Sequence, residues 1–189
     1  MSMIHILPPE IANKIAAGEV VERPASVVRE LIDNAIDAGA RRIDITIEEG
    51  GLKSIAVADD GSGMSPDDLQ LCVKRHATSK IHTAADLEAI ATKGFRGEAL
   101  AAICAVAKVG IQTRRAEEPL GSLLQVNGGI EDPLRQTGAA VGTTVRIRDL
   151  FFNTPARKKF LKKGATEMGH VAATVTWNAL AHEAAHFTF

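Results

Sequence analysis

The sequence predicts an α+β fold, with helices on one face of a mixed, largely antiparallel β-sheet. The order of the elements is the first reason: two helices precede a hairpin, further helices and then a run of neighbouring strands. The second reason is the alternation of isoleucine with other residues over 42–48, which is typical of a strand with one buried face. A sheet of this kind needs a covering layer, which the helices can supply.

The composition bounds the size and class of the protein. The chain has 189 residues, enough for one domain or one domain and a fragment, and its 46% hydrophobic and 24% charged residues are typical of a soluble globular protein. The net charge of −1 creates no overall field that favours nucleic acid or a membrane. Without a membrane span or a signal-peptide pattern, we expect a cytoplasmic protein in which Cys72 and Cys104 are free thiols.

The beginning of the chain predicts two helices. A short helix runs from Ile11 to about Ala17, where Gly18 is expected to stop it. A second helix runs from about Ala25 to Ala38, because its apolar residues recur at helical spacing. Pro24 suits the first turn of this helix, and Gly39 suits the position just past its end.

A hairpin and a capped helix follow. The strands Arg42–Glu48 and Ser54–Ala58 are separated by Gly50-Gly51, which predicts a turn between two antiparallel strands. Ser65 is expected to cap the next helix, with Pro66 in its first turn.

The rest of the chain predicts a weakly patterned excursion over about 75–93, a helix at Glu98–Val106, and then mostly strands. These strands are expected at Lys108–Arg114, Leu120–Val126, Ile130–Arg135 and Thr143–Arg148. After a loop over Phe151–Ala156, a helix should cover about Met168 to Ala181, and Phe187–Phe189 should begin another strand.

The predicted second helix carries a carboxylate and an amide four residues apart, at Glu30 and Asn34. This spacing places both side chains on one helix face, and Asp33 and Asp37 form a second pair displaced around the helix. A carboxylate can activate a water as a general base, while an amide oxygen can bind Mg²⁺, which prefers oxygen ligands. By itself, such a pattern more often marks a solvated acidic face.

Asp59 closes the second strand of the predicted hairpin and precedes Gly61 and Gly63. A carboxylate at the end of a strand can accept hydrogen bonds from the amine of a nucleotide base, and the glycines allow a flat ring to pack against backbone. A plain Asp/Gly turn has the same sequence pattern and is the simpler alternative.

The stretch Gly94-Phe95-Arg96-Gly97-Glu98-Ala99-Leu100 is a glycine-bracketed loop that runs into a helical pattern. Close backbone approach, free N–H groups and the positive end of a helix dipole together suit phosphate, although ordinary helix capping is an alternative. Upstream, Thr78, Ser79 and Lys80 could belong to a lid over a triphosphate or to a polar loop. The chain has neither a P-loop nor a Rossmann fingerprint.

Two further motifs have competing interpretations. His182-Glu183-Ala184-Ala185-His186 matches the zinc-protease pattern H-E-x-x-H, which needs a third ligand that an upstream residue such as His170 could in principle supply. We nevertheless expect no zinc chemistry, because the helix should stop before His186 and the last three residues include no ligand. The densest basic run, Arg157 to Lys163, is more typical of a solvated surface than of a contact with nucleic-acid phosphates.

Taken in order, these motifs resemble the MutL DNA mismatch-repair ATPases, a branch of the GHKL group that also contains gyrase B, the heat-shock chaperone ATPases and histidine kinases. The resemblance rests on Glu30–Gly39, Asp59–Met64, Gly94–Leu100 and Gly142–Val145. Two further runs, Ile15–Pro24 and Phe152–Arg157, resemble the MutL proteins rather than the group at large. The likeness covers nearly the whole chain.

The resemblance implies a role for each matching residue. Glu30 would be the general base for the attacking water, and Asn34 would bind Mg²⁺. Asp59 would bind the adenine amine, with Thr143 beside it. The other contacts with ATP would come from the base pocket, from a lid at about 75–97 and from the phosphate loop: Gly61, Gly63, Thr78, Ser79, Lys80, Arg96, Gly97, Ala99 and Leu100.

The resemblance also implies the Bergerat two-layer α/β sandwich and a Mg²⁺-dependent ATPase that couples mismatch recognition to downstream repair. Residues 1–189 would form its ATP-binding subdomain, and a second subdomain that reaches the γ-phosphate and a dimerisation domain would lie beyond Phe189. The implied partners are DNA, a MutS-type mismatch sensor, a nuclease or helicase and a second copy, in the bacterial cytoplasm and at the nucleoid during repair. The fragment itself is expected to be monomeric and impaired in hydrolysis. The alternative is a binding-only nucleotide module of another GHKL protein, gyrase B-like or chaperone-like.

Overall fold

The computed structural model describes residues 8, 17–18, 20–77 and 97–189. Within these ranges the helices are α1 (Pro24–Asp37), α2 (Pro66–Leu71), α3 (Ala99–Val106), α4 (Pro155–Lys158) and α5 (Gly164–Ala181). The strands are β1 (Arg42–Glu48), β2 (Ser54–Asp59), β3 (Lys108–Arg114), β4 (Gly121–Asn127), β5 (Ile130–Glu131), β6 (Arg135–Thr137), β7 (Gly142–Arg148) and β8 (His186–Thr188). A 3₁₀ turn, Glu49–Gly51, joins β1 to β2.

The described strands form one sheet in the spatial order β5-β4-β3-β7-β2-β1-β8, and β6 pairs with β4. β1 and β8 run parallel, whereas the other pairs are antiparallel. The predicted hairpin is the β1–β2 pair, with Ile45 opposite Val57. A mixed, mainly antiparallel sheet is therefore confirmed.

One face of the sheet is apolar and carries the helices. Alternate residues of the central strands are buried: Ile43, Ile45, Ile55, Val57, Val109, Ile111, Val145 and Ile147. They share a core with Val28, Leu31 and Ile32 of α1 and with Ile103 of α3. Burial of each large aliphatic side chain stabilises the fold by about 1.5–3 kcal/mol, so this shared core confirms the predicted layer of helices on one sheet face.

The ends of the first two described helices follow the expected capping rules. Pro24 occupies the first turn of α1, and Gly39 beyond its end has a φ of 75°, the left-handed region that glycine tolerates. Ser65 Oγ accepts a hydrogen bond from the Asp68 N–H at 3.1 Å, and Pro66 begins α2. The predicted start and end of α1 and the predicted start of α2 are confirmed.

Several boundaries differ from the prediction. The strand expected over 130–135 is divided into β5 and β6, because Pro133 lies between them and cannot donate to a strand ladder. Pro155 starts the short helix α4 at the end of the predicted loop, and α5 begins at Gly164 rather than near Met168.

The helix predicted from Ile11 lies largely outside the described residues. Gly18 and Val20 are helical, so the prediction that Gly18 stops this helix is wrong. The physical reason is that glycine weakens a helix by only about 1 kcal/mol and does not forbid it, so contacts with the rest of the protein can outweigh it.

Both cysteines are free thiols, as predicted. Burial raises the pKa of the Cys72 thiol to about 12 and raises the pKa of Cys104 as well, so neither is an activated thiolate. No helix in the described part of the chain combines the length and apolar character needed to cross a membrane.

The first turn of α5 packs against the turn between β1 and β2 with almost no side chain between them. Gly50 has a φ of 67°, and a Cβ there would overlap the Gly164 carbonyl oxygen and lie 2.9 Å from Met168 N. α5 also packs on α1. This approach of backbone to backbone therefore holds α5 in place beside α1.

Gly50→Ala is expected to lower the free energy of unfolding by at least about 2 kcal/mol, because the added methyl group meets backbone that cannot swing away. Gly39→Ala is the matched control, since a Cβ there meets nothing within 4 Å although φ is 75°. The control should lose only the roughly 1–2 kcal/mol that a left-handed conformation costs alanine. Urea unfolding compares the two variants, and equal losses would contradict the close contact with α5.

Candidate functional site

Asp59 lies at the end of β2, flanked in the sheet by β1 and β7. Its register partners are Ile43 of β1 and Thr143 of β7. The Gly61 N–H donates a hydrogen bond of 2.9 Å to Asp59 Oδ1, so the chain turns back onto this carboxylate as it leaves the strand. The structure thus places Thr143 and Gly61 beside Asp59, as predicted.

The Asp59 side chain is half-buried. This burial is the dominant influence on the group and raises its pKa above the ordinary value of 3.8. Hydrogen bonds from the backbone N–H groups of Gly61 and Thr143 partly offset this rise in pKa, and the charge of the neighbouring Asp60 raises the pKa by a smaller amount. Asp59 is therefore an acceptor whose ionised form is poorly compensated by the protein alone.

Asp60 is in the opposite situation. Its Oδ1 accepts hydrogen bonds from the N–H groups of Arg42 at 2.8 Å and Arg41 at 2.7 Å. These donors, Arg42 foremost, lower the pKa of the exposed Asp60 carboxyl. Asp60 therefore stabilises the start of β1, whereas the adjacent Asp59 carboxylate remains available to a ligand.

Glycine is required at three positions around Asp59, because other backbone segments come too close for a side chain. A Cβ on Gly61 would lie 3.0 Å from the Ala38 carbonyl oxygen, at the C-terminal end of α1. Gly63 and Gly142 have φ values of 68° and 108°, and a Cβ on them would overlap the carbonyl oxygens of Arg114 and Asp59. The rim of the site is consequently backbone, against which a planar ring can pack.

A buried threonine that the sequence pattern did not reveal as functional joins three segments here. Thr113 of β3 is 0% exposed, accepts a hydrogen bond from the Met64 N–H at 2.9 Å and donates one to the Gly142 carbonyl oxygen at 3.0 Å. Its Oγ1 also lies 3.0 Å from Thr143 Oγ1. The available signal was a polar residue in the inward phase of β3, where the alternation otherwise places apolar residues.

The polar side chains of α1 differ in exposure. Glu30 and Asn34 are half-buried, as expected for two residues on one face, and Asp37 is exposed. Asp33 is 6% exposed, and its Oδ2 lies 3.8 Å from Arg29 Nε. The acidic positions of α1 are therefore not a uniformly solvated face.

The length of α1 separates the two ends of the site. The loop after β2 packs on the C-terminal end of α1, where the Ser62 N–H donates to the Ala38 carbonyl oxygen at 3.0 Å. Glu30 precedes Ala38 by more than two helical turns, about 12 Å along the axis at 1.5 Å per residue. This distance is comparable with the length of a nucleotide and its phosphates.

Two cavities share Val20 in their linings. The larger, about 340 Å³, is lined by Val20, Glu22, Ala25, Ser26, Arg29, Glu30 and Thr174. The smaller, about 180 Å³, includes Val20, Glu98 and Ala101 in its lining. Because Val20 lines both, Glu30 and the first turn of α3 face adjacent spaces, whereas Asp59 and Asn34 line neither cavity.

The predicted phosphate loop and lid are described in part. Thr78, Ser79, Lys80 and Arg96 lie outside the described residues. The Gly97 carbonyl oxygen accepts a hydrogen bond from the His76 N–H at 3.1 Å, so the two ends of the excursion meet. α3 begins at Ala99, followed by Leu100, and the Glu98 side chain makes no capping hydrogen bond. The first N–H groups of this helix therefore have no partner from its cap residue.

The zinc-like motif does not lie on a helix. α5 ends at Ala181, His182 follows that end, and His186 begins β8, so the helix stops before His186 as predicted. No group of three potential metal ligands occurs among the residues that the structure describes. In the basic run, the lysines are exposed to solvent, whereas Arg157 is half-buried.

Comparison with known proteins assigns the fold to a family. The model of the histidine kinase-, DNA gyrase B- and HSP90-like ATPases matches residues 22–128, which is more than half of the chain. The matched stretch contains α1, the β1–β2 hairpin, Asp59 and α3.

Curated relatives narrow the assignment. The DNA mismatch repair protein MutL of Koribacter versatilis is 55% identical over 187 residues, which are 99% of this chain and 29% of that protein. MutL of Anaeromyxobacter sp. strain K is 51% identical over 188 residues, which are 100% of this chain and 31% of that protein. The chain thus spans less than a third of the length of these relatives.

Solved structures agree with the sequence relatives. The Aquifex aeolicus MutL ATPase domain complexed with ADP has a TM-score of 0.71 and 33% identity, over 89% of this chain and 59% of that one. The N-terminal domain of a DNA repair protein has a TM-score of 0.77 and 31% identity, over 93% of this chain and 50% of that one. The chain belongs to the histidine kinase-, DNA gyrase B- and HSP90-like ATPase family, and within that family to the MutL type.

Proposed function

We propose that the chain binds ATP along α1, from Asp59 at the base end to Glu30 at the phosphate end, as the nucleotide-binding part of a MutL-type ATPase. The observation that carries this proposal is the half-buried Asp59 carboxylate with its rim of glycine backbone. Desolvation disfavours the ionised form, so the carboxylate costs the folded protein stability that a ligand donor can restore. The ADP bound to the A. aeolicus relative supports a nucleotide as that ligand.

At the base end, the exocyclic amine of adenine would donate to Asp59. Thr143 and the backbone at Gly61 and Gly63 would surround the ring. Thr113 holds this frame together, because it binds the segments that contain Met64 and Gly142. Adenine is favoured over guanine here, because guanine presents a carbonyl oxygen where adenine presents an amine, and two acceptors repel.

At the phosphate end, Gly97, Ala99 and Leu100 would present the N-terminus of α3 to the phosphates. The loop and lid residues outside the described ranges would contribute further contacts: Thr78, Ser79, Lys80 and Arg96. Asn34 would hold Mg²⁺ through its amide oxygen. Because the described residues offer no complete cage of ligands, the phosphates and water would supply the remaining oxygens, as is usual for this ion.

Glu30 would act as the general base. It lines a cavity of about 340 Å³, which has room for water. Glu30 would accept a proton as a water oxygen bonds to the γ-phosphorus and the bond to the bridging oxygen breaks, giving ADP and inorganic phosphate. Bound Mg²⁺ would neutralise charge on the phosphate oxygens.

The whole protein would use this ATPase as a switch in mismatch repair. Residues 1–189 would be its ATP-binding subdomain, with efficient turnover depending on a second subdomain. Its partners would be DNA, a MutS-type mismatch sensor, a nuclease or helicase and a second copy, in the bacterial cytoplasm and at the nucleoid during repair. The names and identities of the MutL relatives support this proposal over another member of the wider family.

Asp59→Asn is expected to weaken ATP binding by at least about hundredfold, because the amide places a donor against the adenine amine. Asp60→Asn is the matched control, since its carboxylate serves the backbone of Arg41 and Arg42. Calorimetric titration with ATP and Mg²⁺ measures both variants. Unchanged affinity in Asp59→Asn would remove Asp59 from the base pocket.

Asp59→Asn is also expected to raise the stability of the folded protein at neutral pH, although it weakens ATP binding. Because burial raises the pKa of Asp59 in the folded state, its contribution to stability is full below pH 3.8 and is lost as the pH rises through the raised value. Asp59→Asn keeps an oxygen that can accept from the Gly61 N–H. At about pH 7 the variant should therefore unfold at a higher urea concentration than the wild type, and this difference in urea concentration should shrink toward about pH 3.5. A variant less stable at neutral pH would contradict the cost assigned to the carboxylate.

Glu30→Ala should leave ATP binding within about twofold of wild type and abolish turnover, since it removes the base and leaves Asp59 and α3 in place. The experiment uses a longer protein of the MutL type that contains this chain, with ATP binding and phosphate release measured separately. Phosphate release at the wild-type rate would show that Glu30 is not the base. Tight ATP binding without phosphate release in the wild type would favour a binding-only module.

A further inference from the structure

A single side chain from far along the sequence, Arg157, holds the segment that leads into α1. Arg157 Nη1 donates a long hydrogen bond of 3.5 Å to the Val21 carbonyl oxygen. The guanidinium also fills the space that Gly18 leaves open, because a Cβ on Gly18 would overlap Nη2 and lie 2.8 Å from Nη1. The close fit of Arg157 therefore depends on glycine at position 18.

The guanidinium is also anchored to the core. Arg157 Cζ lies 5.7 Å from the centroid of the Phe151 ring, and Phe151 is 1% exposed. This distance suits a cation–π contact. The neighbouring Lys158 and Lys159 are exposed, so Arg157 differs from the solvated lysines of the basic run.

The loop that precedes Arg157 also closes the far end of α3. The Phe151 N–H donates to the Val106 carbonyl oxygen at 2.7 Å, and Asn153 Nδ2 donates to the Ala105 carbonyl oxygen at 2.9 Å. Carbonyl groups in the last turn of a helix lack partners within the helix, so these bonds satisfy them. One short segment, Phe151–Arg157, thus contacts both the end of α3 and the lead-in to α1.

These two helices form the phosphate end of the proposed ATP site. α1 carries Glu30 and Asn34, and α3 presents its first turn. Val20, within the lead-in, lines both the cavity that Glu30 faces and the cavity that the first turn of α3 faces. A displacement of the lead-in segment would therefore move the start of α1 and would also move Val20, which lines both cavities.

We propose that Arg157 is a positioning residue of the ATP site. It fixes Gly18 and Val21 against the loop that closes α3, and so sets the start of α1 relative to α3. Arg157 touches no substrate in this account. The inference rests on the proposed function, because it assigns Arg157 an effect on nucleotide affinity.

A double-mutant cycle on the full 189-residue chain tests this proposal with Arg157→Ala, Gly18→Ala and the double variant. The readouts are amide hydrogen exchange over residues 20–26 without nucleotide, and the dissociation constant for ATP with Mg²⁺ at a temperature where every variant is folded. Each single change is expected to speed exchange about tenfold and to weaken ATP binding about tenfold. The double variant should be no worse than either, because the methyl group of Gly18→Ala already displaces the flexible guanidinium.

Two controls separate this contact from general effects. Lys158→Ala removes a neighbouring exposed charge, and Gly169→Ala adds a methyl group to a helical glycine that has nothing within 4 Å. Both should match the wild type. Arg157→Lys keeps a cation for the Phe151 ring and a donor for the Val21 carbonyl, so it should recover most of the affinity, whereas Arg157→Met should recover none.

Three results would overturn the proposal: unchanged exchange in Arg157→Ala, independent effects that multiply in the double variant, or full recovery by Arg157→Met. If the wild type binds ATP and Arg157→Ala binds it equally well, the positioning role fails while the proposed function stands. If the wild type binds no ATP, the proposed function fails and the claimed effect on affinity fails with it, and the exchange data alone then decide whether Arg157 holds the lead-in.

Discussion

The end of β2 is tightly constrained, because the half-buried Asp59 carboxylate is surrounded there by glycine backbone that leaves no space for added side chains. Asp59 lies against Gly142 of β7 and receives the Gly61 N–H, while Gly61 itself packs on the end of α1. Burying an acceptor in this way is unfavourable for the protein alone. In the proposed complex, the Asp59 carboxylate would be the acceptor and an amine of the ligand would be the donor.

The remainder of the fold orients two helices around that point. α1 connects the Asp59 end to the Glu30 end, and the Gly50–Gly164 contact holds α5 beside it. α3 is closed at its far end by Phe151 and Asn153, which leaves its first turn facing the spaces around Val20. At Gly18, Gly50 and Gly61, the absence of a side chain allows another part of the protein to come close, so small residues determine much of the geometry of the site.

The sequence predicted the fold class, the hairpin, α1 and the neighbourhood of Asp59, because these depend on local periodicity, caps and turns. It did not predict the split between β5 and β6, although Pro133 was a visible signal. Thr113 was missed because a single threonine in an apolar strand is more often a packing residue. The Gly18–Arg157 contact joins residues far apart in sequence, and no local pattern encodes such a pairing. The roles of Glu30 and Asn34, and those of the lid residues Thr78, Ser79 and Lys80, remain predictions.

The central claim is that the half-buried Asp59 carboxylate accepts a hydrogen bond from the amine of adenine, and comparative titration with ATP and GTP tests it most directly. The purified chain in Mg²⁺ should bind ATP at one saturable site. GTP should bind at least about hundredfold more weakly, because its base directs a carbonyl oxygen at the carboxylate and leaves it without a donor. Equal affinities for the two nucleotides, or no binding of ATP, would contradict the account.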